Sequence, residues 1–222
     1  MQNVVLLTVC INVFINGESR GCDMEEKADL RKKRTKRLLR TALLELVEEK
    51  GLERVTVRDL TERAEINRGT FYLHYRDVPD FMERLSGEIF DGMKSLLTQL
   101  NPYEIKQYAE KGVPYPGAVQ VLNYVAQNAD YFRVILGPNG DTRFSMKVKE
   151  FMSDHLYSHV FSKASDEFKF PRDYLIAFIT SANIGLYTHW ILNGMSMPVE
   201  ELALFITRIL YKGPLAVAEI LK

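Results

Sequence analysis

The sequence predicts an all-α protein with an N-terminal three-helix head of the helix-turn-helix type, a connector helix and a larger helical body. Apolar residues recur at helical spacing nearly throughout the chain after residue 26. No sustained alternating pattern bounded by turn residues indicates a strand. The 222 residues, 46% hydrophobic and 26% charged, are typical of a globular chain of one or two domains.

The charges are unevenly distributed although the whole chain has a net charge of zero. Residues 27–76 contain 14 Lys and Arg against 8 Asp and Glu, a net charge of +6, so the remainder carries −6. This division excludes a uniformly basic nucleic-acid coat and a disordered polar tail. It favours a polyanionic partner for the N-terminal third alone.

Residues 1–26 read as a disordered or spurious leader. Val4–Ile15 is mostly apolar, but no Lys or Arg precedes it and it is too short to span a bilayer, which disfavours a signal peptide or membrane anchor. Met24 begins the first segment that reads as folded protein. Cys10 and Cys22 have no metal-finger spacing, so a reduced, cytoplasmic chain is the expectation.

The head, residues 27–77, is predicted to hold three short helices. Gly51 ends the first helix as a C′ residue does. Thr56 and Asp59 form a capping-box pattern that opens the second helix, and Asn67 is placed to cap a third that runs to about Tyr75. The first helix is predicted to bury one apolar stripe, formed by Leu39, Ala42, Leu43, Leu46 and Val47.

The body, residues 78–222, is predicted to begin with a connector helix. Asp77 and Pro79 open this fourth helix, which carries apolar residues every three to four positions from Val78 to Leu100. Asn101–Gly117 is rich in Pro and Gly and predicts a loop or an irregular helix. Later helices are expected at Ala118–Leu136, Arg143–Lys163, Arg172–Asn193 and from Val199 to Leu210 or beyond, with a turn at Gly137–Asp141.

The third helix carries the predicted functional surface. On a helical wheel Phe71 and Tyr75 share one face, which should pack inward, while Tyr72 and Leu73 point away. An outward face with Arg, Thr, Tyr and a small Gly suits the DNA major groove, where Arg reaches phosphate or guanine and an exposed Leu contacts a thymine methyl. The alternative is a solvated three-helix surface that binds no nucleic acid. The outward and flanking residues are Arg68, Gly69, Thr70, Tyr72, Leu73 and Arg76.

Two stretches of the head resemble the TetR family of bacterial transcriptional regulators. Residues 56–77 read TVRDLTERAEINRGTFYLHYRD and resemble the helix-turn-helix signature of that family, and residues 34–55 read RTKRLLRTALLELVEEKGLERV and resemble its first helix. Residues 123–151 and 183–206 are similar to the C-terminal domain of a TetR subgroup common in Firmicutes. The resemblance extends over most of residues 30 to 215.

The resemblance implies a homodimer that binds a palindromic DNA operator, usually as a repressor, and releases it when a small-molecule effector occupies the C-terminal domain. The chain departs from the family where Val78 and Pro79 stand in place of a usual Lys, which puts one phosphate contact in doubt. Carried onto this sequence, the DNA-contacting set is Thr56, Arg58, Arg68, Gly69, Thr70, Tyr72, Leu73 and His74, with Lys36 and Arg37 expected on phosphates.

The apolar residues of the two late helices predict a four-helix dimer interface, the alternative being an intramolecular core.

His155 and His159 have a spacing that can bind a metal, but plain polar surface is the commoner role. His189 is expected to line a pocket or, preferably, to cap the core. No phosphate loop or nucleophile elbow occurs, so neither an enzyme nor a cofactor is expected. A coregulator without specific DNA binding, or an all-helical enzyme, remains the alternative.

Overall fold

A computed structural model describes residues 29–138, 142–159 and 171–218. All regular structure in these ranges is helical, and the predicted all-α class is confirmed. The leader predicted at residues 1–26 lies outside the described residues. The α-helices are α1 (29–50), α2 (Val57–Arg63), α3 (Arg68–Tyr72), α4 (Val78–Leu97), α5 (Ile105–Lys111), α6 (Pro116–Gln127), α7 (Ala129–Leu136), α8 (Thr142–His159), α9 (Arg172–Leu192), α10 (Val199–Lys212) and α11 (Pro214–Val217), with 3₁₀ turns at Leu52–Arg54 and Pro102–Glu104.

The first helix buries the stripe that its periodicity predicts. All five predicted stripe residues, Leu39 to Val47, are at most 4% exposed. Gly51 follows the helix with a φ of 79°, in the region that a side chain disfavours, and its N–H donates to the Val47 carbonyl over 2.8 Å. The amphipathic pattern and the terminal glycine therefore define this element.

The third helix is shorter than predicted. It ends at Tyr72 rather than near Tyr75, and the chain continues in turns whose N–H groups still bond to the Phe71 carbonyl. Asp77 caps the next helix in an extended conformation, so the chain must leave helical dihedrals before it. The Tyr75 ring packs 4.3 Å from the Phe81 ring, between centroids, which holds this short connection against α4.

Part of the segment Asn101–Gly117 forms a regular helix, where the sequence predicts a loop or an irregular helix. Helix α5 lies inside it, packs against α10 and ends at Gly112, whose φ of 70° is left-handed. The Tyr115 N–H donates to the Thr207 hydroxyl of α10 over 3.0 Å. Tertiary contact with α10 therefore orders a segment whose Pro and Gly content alone favours irregular structure.

The predicted helix Ala118–Leu136 divides in two at Asn128. This residue lies outside helical geometry, and its side-chain amide donates to the Tyr124 carbonyl over 3.0 Å. The break turns α7 so that it contacts α9. Of the predicted segment Arg143–Lys163, the structure describes helix to His159; of the predicted turn Gly137–Asp141, it describes Gly137 and Pro138.

Helix α4 connects the head to the body as predicted. Phe81 contacts the Phe71 ring of the head, and farther along the helix Ile89 and Met93 lie in the same hydrophobic cluster as residues of α6, α7 and α10. The helix also contacts α6 and α8. One continuous apolar core thus links the recognition segment to the body.

Candidate DNA-binding site and effector cavity

Local hydrogen bonds position the second and third helices. The Asp59 N–H donates to the Thr56 hydroxyl over 3.2 Å, and the Thr56 N–H donates to Asp59 Oδ2 over 2.8 Å, so the predicted capping box is present. Asn67 caps α3 by accepting the Gly69 N–H over 2.7 Å. Between the helices, Glu65 adopts a φ of 53° to make the tight turn. The sequence thus determines the start of each helix through caps.

Helix α3 turns one side chain inward and several outward. Phe71 is fully buried, whereas Tyr72 is 58% exposed and Leu73 is 80% exposed. Arg68 and Gly69 are exposed, and Arg68 forms no ion pair with any residue that the structure describes. Large apolar side chains left in water beside a free guanidinium are typical of a recognition surface.

Several of the predicted DNA-contacting cations are already paired. Arg58 Nε lies 2.7 Å from Glu62 Oε1, and Lys36 Nζ forms an ion pair with Glu88 of α4. Arg76 lies 3.3 Å from Asp80 Oδ1. Arg37 is exposed and has no ion pair within the described ranges. Among these cations, Arg37 can reach a phosphate without breaking a partnership.

The remaining predicted contacts lie around the same surface. Thr70 and His74 are half-buried, and His74 lies beside Tyr75 with 6.1 Å between ring centroids. Thr56 is exposed but its hydroxyl is engaged in the capping box. Val78, at the position where the TetR resemblance leads one to expect a Lys, is 4% exposed and belongs to the core. A buried valine offers no donor to a phosphate there.

A long-range cluster that the sequence analysis missed joins α1 to the body. Arg40 donates two hydrogen bonds to the Asp130 carboxylate, from Nε over 3.1 Å and from Nη2 over 2.6 Å. Its Nη1 and Nη2 groups also donate to Asn128 Oδ1, each over 3.2 Å. No local signal predicts this contact, because its partners are about ninety residues apart.

The body holds a mostly apolar cavity of about 490 Å³, within the size range of small-molecule sites. Residues at the end of α4 and from α5, α6, α8, α9 and α10 line it, among them Leu97, Val121, Met152 and Tyr187. These four residues also line a second, smaller cavity of about 40 Å³ that extends toward Phe132 of α7. The sequence alone predicts an effector but does not locate the cavity that would bind it.

No group of three or more His, Cys, Asp or Glu side chains that could hold a metal ion occurs among the described residues. His155 and His159 stack with 4.5 Å between ring centroids, and His159 Nδ1 lies 3.2 Å from the His155 carbonyl oxygen. The preferred core role of His189 is wrong: its side chain is exposed beside Asn193. The core position belongs to Trp190, whose Nε1 donates to the Met197 carbonyl over 2.9 Å. Because adjacent residues of a helix point in different directions, Trp190 is buried while His189 is exposed.

Helix α9 has an apolar outward face as well as an inward one. Ile176 and Thr180 are buried, whereas Tyr174 is 74% exposed and Phe178 is 60% exposed. Within the described ranges α9 alone is long and apolar enough to cross a membrane, a test that core helices of soluble proteins also pass. An apolar face of this kind is unusual for an isolated globular chain.

Two family matches decide the classification. Residues 39–78 match the family described as bacterial regulatory proteins, tetR family, and residues 113–212 match a TetR family described as transcriptional regulator C-terminal region. The chain belongs to the TetR family. The helix-turn-helix head is therefore a DNA-binding module, and the two matched domains are those of a transcriptional regulator.

Solved TetR-family structures share the fold. A TetR regulator of Streptococcus agalactiae 2603V is 21% identical, with a TM-score of 0.56 over 85% of this chain and 98% of that chain. A putative TetR regulator of Syntrophomonas wolfei is 17% identical, with a TM-score of 0.58 over 86% and 98%. FadR of Bacillus subtilis, in complex with stearoyl-CoA, is 14% identical, with a TM-score of 0.52 over 80% and 97%. No curated protein matches this sequence.

Proposed function

We propose that this TetR-family chain is an effector-responsive repressor that binds a palindromic operator as a homodimer in the cytoplasm. The uncovered face of α3 carries the proposal: an unpaired Arg68 stands beside Tyr72 and Leu73, which are mostly exposed. The contact set remains the one named from the sequence. Arg68 and Thr70 read base edges, and Leu73 meets a thymine methyl. Tyr72 and His74, with Lys36 and Arg37, bind phosphates.

The homodimer forms through α9 and α10. The outward face of α9 exposes Tyr174 and Phe178, and α10 exposes Leu210 and Tyr211, each at least 40% exposed. Two helices from each protomer form a four-helix interface that covers these side chains. A two-fold dimer also places two recognition helices about 34 Å apart, the spacing of successive major grooves.

An effector in the cavity releases the operator by changing that spacing. Helix α6 lines both cavities and α7 lines the smaller one, and the Asn128–Asp130 segment where they meet binds Arg40 of α1. The bound stearoyl-CoA of FadR, a structural neighbour, supports a small-molecule effector for this fold. The proposal includes no metal, cofactor or catalytic step.

A coregulator that dimerises without reading DNA is the second candidate. Its support is Val78, which is buried where a phosphate-binding Lys is usual in the family. The exposed side chains of Arg68, Tyr72 and Leu73 on α3 favour the repressor over this second candidate.

Genome-wide binding of the tagged protein in its native host tests the proposal, together with operator binding by purified protein at two salt concentrations. We expect a few sharp peaks over a palindrome near the gene itself or a neighbouring gene, and derepression of the adjacent genes in a deletion strain. Weak binding that vanishes at the higher salt concentration, without peaks, would mean that the basic head binds phosphate non-specifically and would favour the coregulator.

A further inference from the structure

The body cavity contains several hydrogen-bond donors and little to accept them. The Tyr187 side chain lines both cavities, and its hydroxyl has no hydrogen-bond partner among the described residues. Burial raises the pKa of this hydroxyl to about 12, so it stays protonated and can donate. The Tyr115 hydroxyl accepts the Asn101 N–H over 2.8 Å, which leaves its own proton free for the cavity.

The only charged residue among those that line the large cavity is Lys106 of α5. Its side chain is 66% exposed, which places the ammonium group at the rim. The nearest carboxylate is Glu110, whose Oε1 lies 3.8 Å from Lys106 Nζ and also accepts the Tyr211 hydroxyl over 3.1 Å. A loose ion pair of this kind leaves the ammonium group able to bind a second anion.

The other polar side chains of the lining are those of Tyr103, Asn183 and Tyr211. The side-chain amide of Asn183 donates to the Ile179 carbonyl of its own helix over 2.8 Å, and its Oδ1 remains available as an acceptor. Two phenol donors, at Tyr115 and Tyr187, and the Lys106 cation therefore lie in a lining that is mostly apolar among the described residues. A ligand that fits must supply acceptor oxygens and negative charge at one end, and an apolar body to cover the rest.

We propose that the effector is an apolar carboxylate, with its carboxylate at the Lys106 rim and its apolar body along Leu97, Val121 and Met152 toward the smaller cavity. This deepens the proposed function, since it names the class of the effector. It does not depend on DNA binding, because the cavity lies wholly in the body. Phosphate monoesters are excluded from the proposal, because a single exposed ammonium group does not compensate two charges.

Direct binding to the full-length protein tests the ligand class. Three probes of matched chain length are decanoate, methyl decanoate and decylamine, each used below its micellar concentration. Titration calorimetry is the readout, and fluorescence of Trp190, the single tryptophan, is a second one because Trp190 belongs to the same hydrophobic cluster as Val121 and Phe132, which line the smaller cavity. We expect decanoate to bind about tenfold more tightly than its uncharged ester and decylamine to bind most weakly.

Two variants connect the preference to named atoms. Lys106→Met should lower decanoate affinity to that of the ester and leave the ester unchanged, whereas Lys111→Met, on the same helix outside the lining, should change neither. Tyr187→Phe should weaken binding of both carbonyl probes by about threefold to tenfold, with Tyr157→Phe as the exposed control. Thermal unfolding of each free variant separates a loss of ligand contact from a loss of fold.

Equal affinity for decanoate and decylamine, or an unchanged preference in Lys106→Met, would overturn the carboxylate assignment. Failure of all three probes to bind would overturn the cavity as a site for such ligands. Neither result bears on operator recognition, which is measured separately with DNA. Conversely, a protein that binds decanoate but no operator would contradict the repressor proposal and still support the proposed class of ligand.

Discussion

Arg68 differs from Arg58 and Arg76 because it has no carboxylate partner among the described residues. Arg58 and Arg76 are each paired with an acid on their own helix or the next one. A free guanidinium needs no ion pair to be broken before it binds DNA, so its full interaction energy is available to the operator. Arg68 is therefore the residue at which DNA affinity should depend most on a single side chain.

Replacement of Arg68 or Tyr72 by Ala should weaken specific operator binding while the dimer stays intact. Each side chain is exposed, so truncation removes DNA contacts without opening the core, and the loss should be about tenfold to hundredfold in affinity. Fluorescence anisotropy with operator DNA and size-exclusion chromatography measure the two properties. Arg54→Ala, also exposed and basic, is the control, and unchanged operator affinity in both variants would contradict the contact assignment.

Asp59 makes the stability of the head depend on pH. The Lys50 ammonium group 2.7 Å away, followed by the hydroxyl and N–H of Thr56, holds the pKa of the Asp59 carboxyl far below its usual value of 3.8. A carboxylate with a lowered folded-state pKa stabilises the fold above the pKa of the unfolded chain. That stabilisation is lost as the pH falls through the folded-state pKa.

We expect Asp59→Asn to be less stable than the unmodified protein at pH 7, and the difference to shrink as the pH falls below about 4. Urea unfolding followed by circular dichroism across this range measures it. Asp91→Asn replaces an exposed carboxylate that has no ion pair within the described ranges and should show no such convergence. A stability difference that stays constant with pH would show that Asp59 stabilises the head through its capping hydrogen bonds and not through its charge.

At the scale of elements, the break between α6 and α7 connects the head to the body. Asn128 ends one helix, and its carbonyl oxygen accepts the Phe132 N–H of the next over 3.1 Å. Its side-chain oxygen and the adjacent Asp130 carboxylate hold Arg40 of α1. Helix α6 lines both cavities and α7 lines the smaller one, so we expect a displacement caused by a ligand to reach the head through the Arg40 guanidinium group as well as through the apolar core along α4.

A double-mutant cycle with Arg40→Met and Asp130→Ala should give a coupling energy of about 1 kcal/mol in the free energy of unfolding. The value lies at the upper end for partly exposed pairs because Arg40 is only 24% exposed and its contact with Asp130 is bidentate. The pair Lys33–Asp29, with both side chains more than half exposed, should give almost none. Equal coupling in the two pairs would remove the reason to assign Arg40 a linking role.

At the scale of the whole molecule, charge and apolar surface are separated. The head carries a net positive charge, and two of the most exposed large apolar side chains of the described body, Tyr174 and Phe178, lie on α9. In the proposed function, attraction to DNA and association between protomers therefore use different parts of the chain. A mutation at one end should leave the other function measurable, although operator affinity depends on both.

Phe178→Glu should convert the dimer to a monomer and reduce operator affinity with it. Phe178 is 60% exposed in the single chain, and a buried unpaired carboxylate in a dimer interface costs several kcal/mol. Analytical ultracentrifugation measures the mass, and helicity by circular dichroism shows that the chain still folds. Met146→Glu, on α8 and 59% exposed, is the matched control. A Phe178→Glu protein that remains dimeric would place the interface elsewhere.

The amino-acid sequence by itself determined the helix starts and the inward face of the head. Thr56, Asn67 and Asp77 cap their helices through hydrogen bonds to residues two or three positions ahead, so each signal is complete within one turn. The burial of Phe71 and of the α1 stripe follows from a periodicity that is equally local. Interactions of this short range can be predicted from consecutive residues.

Tertiary structure alone decided the parts that depend on distant partners. Helix α5 is ordered by α10, Arg40 meets Asp130 ninety positions away, and the cavity around Tyr187 exists only where five helices and the end of α4 meet. Caps and periodicity act over three or four residues, whereas these contacts depend on how whole helices pack. No local pattern specifies that packing, because each apolar face can be buried against more than one neighbour.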